Sequence, residues 1–282
     1  METLQDTNIS TNSKAKMIKL DQPIVMGILN LTPDSFFDGG KYNNEEEILA
    51  QVTNMLNDGA TVIDIGGQST KPGAKIVAEQ AELDRVLPII KLLKKNFENI
   101  TISIDTYYSF VAEKCIEAGA AIINDVSGGS LDNEMFKTAG KLNVPYVLMH
   151  IKGTPQNMQQ NPTYSNVVEE VKTYFTEKIK LLKENGVVDI ILDPGFGFGK
   201  TVEHNYQILT NLEKFNSFNL PVLVGVSRKS MLTKVLGIEA NEALNGTSVL
   251  NTIALQKGAK ILRVHDVKEA NECILLVKKL QG

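Results

Sequence analysis

Short apolar segments alternate with longer amphipathic ones along nearly the whole chain, and this alternation restricts the fold more than any other feature. Eight segments rich in β-branched residues read as strands, at 24–29, 61–65, 100–104, 121–124, 145–149, 187–192, 221–226 and 259–264. Several are apolar nearly throughout, which is typical of parallel strands that are covered on both faces. Parallel neighbours require crossover helices, and seven or eight helical segments separate the strands.

The helical segments end in a recurring glycine turn. The segment that begins at Glu45 has apolar residues at helical spacing and ends near Gly59, a natural C-terminal cap. Related turns precede three later strands, at 118–121, 257–259 and, with Asn-Gly, 184–187. We therefore predict a flexible tail over residues 1–16 and one α/β domain over 17–282, a (β/α)8 TIM barrel with its active site at the C-terminal ends of the strands. A doubly wound open sheet is the alternative.

Composition and charge exclude several classes of function. The 282 residues are 43% hydrophobic and carry a formal charge of −4, which provides neither a basic field for nucleic acid nor a cationic face for a membrane. No apolar run approaches the ~20 residues of a membrane span, and the first twenty residues lack the apolar core of a secretory signal. Cys115 and Cys273 match no metal or redox spacing. We expect a cytoplasmic protein whose two cysteines are buried thiols.

Polar residues follow every predicted strand. They are Asn30, Asp64 with Gly66 and Gly67, Asp105, Asn124 with Asp125, His150, Asp193, Ser227 with Lys229, and Arg263 with His265. A single Asp after a strand is usually a cap or turn residue. Eight polar strand ends in succession favour an active site instead, because the C-terminal ends of barrel strands converge on one rim.

Three of these residues suit a flat heterocycle. Asp105, Asn124 and Asp193 offer two carboxylates and an amide, which match the N–H donors and ring-nitrogen acceptors of a pterin edge. Capping of the following helices is the alternative for Asp105 and Asn124. That alternative is weaker for Asp193, because Pro194 and three glycines follow it.

An anion site is indicated after strands seven and eight, where barrels often bind phosphate. The runs VGVSRKS (224–230) and LRVHDV (262–267) supply Ser227, Lys229, Arg263 and His265 as donors. Strand alternation places Arg263 and His265 on the same side. Surface charges at loop ends are the alternative interpretation.

Glycine-rich loops complete the predicted rim. The run LDPGFGFGK (192–200) fits neither a Walker A motif nor a dinucleotide fingerprint. Its glycines allow either a close approach to a planar ligand, with Phe198 as a lid, or simply a tight turn. The loops at 30–40 and 66–73 favour lids that close over substrate, with structural Ω-loops as the alternative.

Taken together, these segments resemble the dihydropteroate synthase family. The resemblance is carried by MGILNLTPDSFFDGG (26–40), IDIGGQSTKPGA (63–74), SIDT (103–106), INDVSGG (123–129), LMHIKGTPQNMQ (148–159), DPGFGFGK, VGVSRKS and RVHDV, in the family's order and spacing. It covers nearly the whole chain after about residue 20. The chain departs from the family at Gln68, where Glu is usual, and at Lys71 and Lys152, where Arg is common. Lysine keeps the charge but loses the bidentate fork of arginine.

The resemblance implies a transferase of folate biosynthesis. Such an enzyme condenses 6-hydroxymethyl-7,8-dihydropterin diphosphate with 4-aminobenzoate to give 7,8-dihydropteroate and pyrophosphate, with Mg2+ as cofactor. Pyrophosphate leaves the exocyclic methylene of the pterin, and the arylamine attacks the resulting cation. The resemblance further implies a homodimer, formed through helices of the outer ring, and a target of sulfonamides.

The resemblance also assigns residues to each part of the site. The residues implied for the pterin are Asp105, Asn124, Asp193, Lys229, Arg263, Met149 and Phe198. Those implied for the diphosphate are Asn30, Thr70, Arg263 and His265, with Asn30 also on Mg2+. Those implied near 4-aminobenzoate are Phe36, Ser69, Thr70, Lys71, Pro72, Lys229 and Ser230. Catalysis is assigned to Asp38, Asp105, Asp193 and Lys229, mainly through electrostatic stabilisation.

Two other functions stay open at this point. A methyltransferase of the same barrel superfamily would share the Asp, Asn and Asp ligands, but it would have no diphosphate to hold, so the basic residues after strands seven and eight argue against it. A noncatalytic pterin-binding paralogue is favoured only by Gln68 and Lys71, because the chain keeps both long loops.

Overall fold

Eight parallel strands surrounded by helices make up the body of the molecule. The computed structural model describes residues 8–9, 18–31, 41–69, 73–74 and 76–281. The barrel strands are Ile24–Asn30 (β1), Ala60–Gly66 (β2), Ile102–Asp105 (β3), Ile122–Asp125 (β4), Tyr146–Met149 (β5), Ile190–Asp193 (β6), Leu223–Val224 (β7) and Ile261–Val264 (β8). Each predicted strand overlaps one of them.

The strand order closes the sheet on itself. Strands β1 to β6 pair in chain order, and β8 pairs with both β1 and β7. A parallel bridge between Leu192 and Val222 joins β6 to the segment that leads into β7, so the two ends of the sheet meet. The predicted TIM barrel is therefore confirmed, and the open doubly wound sheet is wrong.

Helices form the outer ring of the barrel. Their bounds are Lys41–Asn57, Glu79–Asn96, Ser109–Glu117, Met135–Leu142, Val167–Glu184, Val202–Thr210, Ser230–Leu236, Leu244–Gln256 and Val267–Gln281. Two helices, rather than one, separate β7 from β8. Among the described residues, no helix is long and apolar enough to cross a membrane. The boundary between a tail and the barrel at residue 17 stays a prediction.

Strand alternation divides the apolar residues into two layers. One large cluster packs the outward faces of the strands against the helices. A second, smaller cluster fills the barrel interior, and it consists of Leu20, Ile24, Met26, Val62, Ala121, Ile122, Val147, Ile191, Leu223 and Ile261. Leu20 is fully buried and lies just before β1. The interior is thus filled with side chains at its N-terminal end.

Glycines make the turns that lead from helices into β2, β4, β6 and β8. Gly59, Gly119, Gly186 and Gly258 have φ angles of 105°, 110°, 85° and 96°, a region that L side chains rarely adopt. These are the turns that the sequence pattern predicted. They lie at the end of the barrel opposite to the rim where the strands terminate.

Candidate active site

The polar strand ends form a layer directly above the apolar interior. In four strands, an apolar side chain that points into the barrel is followed two residues later by a polar one that also points inward. These pairs are Val62 and Asp64, Ile122 and Asn124, Ile191 and Asp193, and Ile261 and Arg263. All four polar residues are buried or half-buried. The alternation that builds the core therefore also aims these groups into the mouth of the barrel.

Arg263 holds the centre of this layer together. Its Nε donates to Asp64 Oδ2 at 2.7 Å, and a terminal nitrogen donates to Asp105 Oδ2 at 2.7 Å. Asn124 Nδ2 donates to the same Asp64 oxygen at 3.0 Å. Neither Asp105 nor Asn124 therefore serves as the simple helix cap that the alternative interpretation required.

Asp64 is the residue of this cluster that sequence reasoning missed as a site residue. It is fully buried, and its Oδ1 has no hydrogen-bond partner among the described residues. It was recognised only as one polar strand end among eight. Its position two residues after Val62, inside the barrel, was the available signal. Asp125 is another acidic residue among the polar strand ends, but its side chain points outward. It accepts hydrogen bonds from Ser127 N, Gly129 N and the Tyr146 hydroxyl.

Burial controls the charges in this cluster. Burial raises the pKa of Asp105 above its ordinary value, and Asp64 and Asp193 raise it further, while Arg263 opposes the shift. Burial alone would lower the pKa of Arg263, but Asp64 and Asp105 raise it above its usual range. The guanidinium therefore stays protonated, whereas Asp105 gains or loses its proton easily near neutrality.

Asp193 and Lys229 form the second part of the site. Asp193 Oδ1 accepts a hydrogen bond from Gly195 N at 2.7 Å. Lys229 Nζ donates to Phe196 O at 2.5 Å and lies 4.8 Å from the centroid of the Phe198 ring. Burial lowers the pKa of Lys229 to about 8, so Lys229 holds its proton weakly. An anionic or carbonyl group of a ligand would stabilise the charged form.

The glycines after Asp193 allow the loop to approach protein backbone. Gly195 and Gly199 have φ angles of 70° and 65°, and a Cβ on them would lie 1.9 Å from His150 O and 2.4 Å from Lys152 O. Only Gly197, whose Cβ would lie 3.3 Å from Lys229 Cδ, faces the site. The tight-turn interpretation therefore describes Gly195 and Gly199, while Gly197 makes room for Lys229.

The predicted anion donors lie at the edge of the site after β7 and β8. Ser227 Oγ and His265 Nδ1 are 3.1 Å apart. Arg228 adopts a positive φ of 57° and pairs with Asp266, with Nε 3.1 Å from Oδ2. Its guanidinium is thus occupied on the surface, which leaves Lys229 and Arg263, within the part of the chain that the structure describes, as the cations that face the barrel mouth.

The remaining predicted residues fall into three groups. Met149 is buried in an apolar cluster with Tyr107, Val126, Ile151 and Met158, and Phe198 packs against that cluster. Ser69 is half-buried at the rim, and Ser230 begins a helix and is exposed. The predicted residues Phe36, Asp38, Thr70, Lys71 and Pro72 lie outside the described residues.

Gln68, one of the departures from the family pattern, belongs to a buried network that begins just after β2. Its Nε2 donates to Glu82 Oε2 at 2.6 Å, and its Oε1 accepts from the Tyr107 hydroxyl at 2.8 Å. Burial raises the pKa of Glu82 to about 8. The amide therefore has a donor and an acceptor role that match its neighbours. Lys152, another departure, lies after β5 and contacts Thr163 O, Glu170 and the Tyr164 ring.

The donor set for a metal ion is sparse. No group of three His, Cys, Asp or Glu side chains converges on a metal-sized space in the described part of the chain. Asn30, at the end of β1, offers an amide oxygen that is only partly buried. Such a site fits Mg2+, which commonly takes few protein ligands and completes its shell with substrate phosphates and water.

Comparison with known proteins gives a consistent result. A family model described as "Pterin binding enzyme" matches residues 26–265. The dihydropteroate synthase of Escherichia coli K12 is 44% identical over 263 residues, which cover 93% of each chain. Among solved structures, the Yersinia pestis dihydropteroate synthase in a sulfonamide drug complex superposes with a TM-score of 0.91, at 41% identity over 97% of this chain and 99% of that one. The Xanthomonas albilineans dihydropteroate synthase with 4-aminobenzoic acid gives a TM-score of 0.91, at 35% identity over 99% of each chain.

Proposed function

This chain belongs to the dihydropteroate synthase family of pterin-binding enzymes, and from that membership we propose that its rim site condenses 6-hydroxymethyl-7,8-dihydropterin diphosphate with 4-aminobenzoate. The products are 7,8-dihydropteroate and pyrophosphate, so the enzyme is a transferase. The observation that carries the proposal is the buried cluster in which Arg263 bridges Asp64 and Asp105, with Asn124, Asp193 and Lys229 beside it.

The pterin lies in this cluster with its polar edge toward the strand ends. Asp105 and Asp193 accept the N–H donors of the aminopyrimidinone edge, and Asn124 supplies both a donor and an acceptor. Lys229 donates to a ring acceptor. Met149 and Phe198 provide apolar surface for the ring faces, since Phe198 packs against the apolar cluster that includes Met149. Water is thereby excluded from one side of the ring.

The reaction then needs little covalent help from the protein. The bond between the exocyclic methylene carbon and the diphosphate oxygen breaks, and its electron pair leaves with pyrophosphate. The methylene cation that results is delocalised into the pterin, where the Asp105 and Asp193 carboxylates favour it electrostatically. The amine of 4-aminobenzoate donates its lone pair to the methylene carbon, and the proton it loses passes to solvent.

The departing diphosphate lies at the edge formed by Asn30, Arg263 and His265. Ser227 contacts His265 and orients it, since their side chains are 3.1 Å apart. Mg2+ held by Asn30 and the diphosphate oxygens would neutralise charge on the leaving group. From the family resemblance we also assign Thr70 to the diphosphate and Asp38 to catalysis. The residues that we assign to the aminobenzoate on the same basis are Phe36, Ser69, Thr70, Lys71, Pro72, Lys229 and Ser230.

The proposal is tested by pyrophosphate release from the pterin diphosphate in the presence and absence of 4-aminobenzoate. We expect release that depends on the amine, with dihydropteroate formed in equal amount. Removing Mg2+ with a chelator should stop turnover, and Asn30→Ala should raise the Mg2+ concentration needed for half-maximal rate. Asn211→Ala, at a half-buried amide that donates to Gln207 O on the outer ring, is the matched control.

Each alternative predicts another outcome of this assay. A noncatalytic paralogue would bind the pterin but release no pyrophosphate. A methyltransferase would bind methyltetrahydrofolate and would likewise give no amine-dependent release. Turnover that is undiminished in the chelator would contradict the Mg2+ part of the proposal alone. A sulfonamide added to the working assay should compete with 4-aminobenzoate, as expected from the drug complex of the Yersinia pestis relative.

We further propose that two copies associate through the last two helices. Leu275, Leu276 and Leu280 on Val267–Gln281 are 59%, 68% and 76% exposed, and Val249 on Leu244–Gln256 is 50% exposed. The two helices are neighbours, since Cys273 Sγ lies 3.5 Å from Ser248 O. Apolar exposure of this extent on adjacent helices is typical of an interface.

Sedimentation velocity tests this association. Leu276→Glu should convert a dimer into a monomer, because the charge would be buried against an apolar partner surface. Leu181→Glu, at an exposed leucine on the helix Val167–Glu184, should leave the dimer intact. A wild-type protein that sediments as a monomer would overturn this proposal.

A cytoplasmic location is also proposed, in keeping with the unpaired thiols of Cys115 and Cys273, and cell fractionation would test it.

A further inference from the structure

A buried lysine lies behind the pterin site and has no part in the reaction proposed above. Lys200 is 3% exposed, and its Nζ lies 2.9 Å from His150 Nδ1, 2.9 Å from Gly195 O and 3.0 Å from Phe198 O. An ammonium has three hydrogens, and here each has an acceptor. A buried cation persists only where such partners replace its water.

The acceptors of Lys200 belong to two separate segments. Gly195 and Phe198 lie in the loop after β6, and His150 directly follows β5. Burial lowers the pKa of His150, and the nearby Lys200 lowers it further, so the imidazole is neutral and its Nδ1 can accept. Lys200 therefore ties both ends of the loop 195–198 to the end of the neighbouring strand.

The same loop sets the positions of the proposed pterin ligands. Gly195 N donates to Asp193 Oδ1 at 2.7 Å, and Phe196 O accepts from Lys229 Nζ at 2.5 Å. The Phe198 ring lies beneath the Lys229 ammonium. A change in the path of this loop would therefore move both Asp193 and Lys229.

Lys200 also contributes to the charge balance of the barrel mouth. Three carboxylates, Asp64, Asp105 and Asp193, face two cations at the substrate side, Arg263 and Lys229. Burial lowers the pKa of Lys200 well below its ordinary value, and the charge of Asp193 opposes that shift. The three acceptors around Nζ also favour the ammonium, which is then the third cation. Burial raises the pKa of Asp193, and the charges that oppose this are those of Lys229, Arg263 and Lys200, together with the Gly195 N–H.

We propose that Lys200 is a positioning residue for pterin binding: it holds the loop 195–198 against His150, and so fixes Asp193 and Lys229, without touching substrate. The inference rests on the proposed function, since it concerns the same pterin site. It adds a residue that the sequence motifs did not single out for any role in the site.

The test compares Lys200→Met with wild type. Methionine keeps the length and apolar contacts of the side chain but removes the charge and all three donors. We expect the affinity for the pterin diphosphate, measured by calorimetry, to fall by about 10- to 100-fold. The KM for 4-aminobenzoate should change little. The acidic limb of the pH profile of kcat/KM should move upward by about one pH unit, because Asp193 loses a neighbouring cation.

Substitutions at His150 separate the hydrogen bonds from the charge. His150→Asn can place an amide oxygen near the present position of Nδ1, so it should retain most of the pterin affinity. His150→Leu removes that acceptor but leaves the Lys200 ammonium, so affinity should fall without a shift of the acidic limb. These variants keep the test decisive if Lys200→Met does not fold.

Several results would overturn the inference. One is a Lys200→Met protein with pterin affinity within threefold of wild type and an unmoved acidic limb. Another is an equal decrease in binding of both substrates that is accounted for by the decrease in the fraction of folded protein. Because calorimetry measures pterin binding without turnover, an inactive wild-type enzyme would count against the proposed function while the comparison of affinities would still decide the role of Lys200.

Discussion

Lys229→Ala is expected to reduce turnover below detection, a loss of roughly 10³-fold or more in kcat/KM, in a protein that stays folded. The lysine is the cation nearest to Phe196 O and the Phe198 ring, and it balances Asp193 at the proposed pterin edge. Its removal leaves Asp193 with a raised pKa and less able to accept from the pterin. Pyrophosphate release and thermal unfolding, measured on the same preparation, check both parts.

The expected stability of this variant follows from the sign of the pKa shift. Burial lowers the pKa of Lys229 to about 8, from an ordinary value near 10.5, so the folded state holds this proton more weakly than the unfolded state does. At neutral pH the charged lysine therefore costs folding free energy, and alanine removes that cost. Lys141→Ala is the control, because Lys141 pairs with Glu113 on the surface. An active Lys229→Ala enzyme would contradict the assignment of this residue.

Arg263→Met is expected to have the largest effect on stability. Arg263 is the shared partner of Asp64 and Asp105, at 2.7 Å from each, and methionine would leave both carboxylates buried without a cation. Breaking a buried pair in this way lowers the free energy of unfolding by about 3–5 kcal/mol. The variant should also fail to bind the pterin diphosphate. Urea denaturation and calorimetry measure the two effects.

The pH dependence identifies the cause of this loss. Burial already raises the pKa of Asp105 in the folded protein above the ordinary value of 3.8. A carboxyl with a raised folded pKa loses stability as pH increases from its unfolded pKa to its folded one. Without Arg263 this loss becomes larger and extends to higher pH. The difference in free energy of unfolding between wild type and the variant should therefore be smaller at pH 6 than at pH 8.

Arg228→Met provides the matched control for Arg263. Arg228 forms its ion pair with Asp266 at the surface, where its side chain is 38% exposed. Exposed pairs contribute about 0–1 kcal/mol, so this variant should unfold near the wild-type midpoint at both pH values. If the two arginine variants were destabilised equally, the bridging role of Arg263 would be wrong.

The fold was accessible to sequence reasoning because one period repeats eight times. Apolar runs marked each strand, and the glycine turns before β2, β4, β6 and β8 marked the ends of helices. The bounds were less accurate, as for 187–192, where the strand is Ile190–Asp193. Hydrophobicity extends beyond the residues that pair, because flanking apolar residues such as Val187 are also buried in the core.

The candidate site was predicted less completely. The rim position of Asp105, Asn124, Asp193 and Arg263 followed from strand ends, and the structure places these residues together. The roles of the individual residues stay predictions. Asp64 and Lys200 were not assigned roles: strand alternation placed Asp64 inside the barrel, but its ion pair joins residues 199 apart, and Lys200 meets His150 across 50 residues. Sequence spacing contains no signal for contacts of that range.

One of the four glycine turns at the N-terminal ends of the strands differs from the other three: an added Cβ at Gly59, Gly119 or Gly258 would lie 2.4, 3.1 or 2.8 Å from a neighbouring side chain. At Gly186 an added Cβ would meet nothing within 4 Å, whereas rim glycines such as Gly195 leave no such space. New chain ends, an affinity tag or a reporter domain could therefore be introduced at Gly186 without approaching the chemistry. In the same way, circular permutants opened at this turn would retain every strand end that the reaction needs, so the turn at Gly186 is the place where the chain can be engineered.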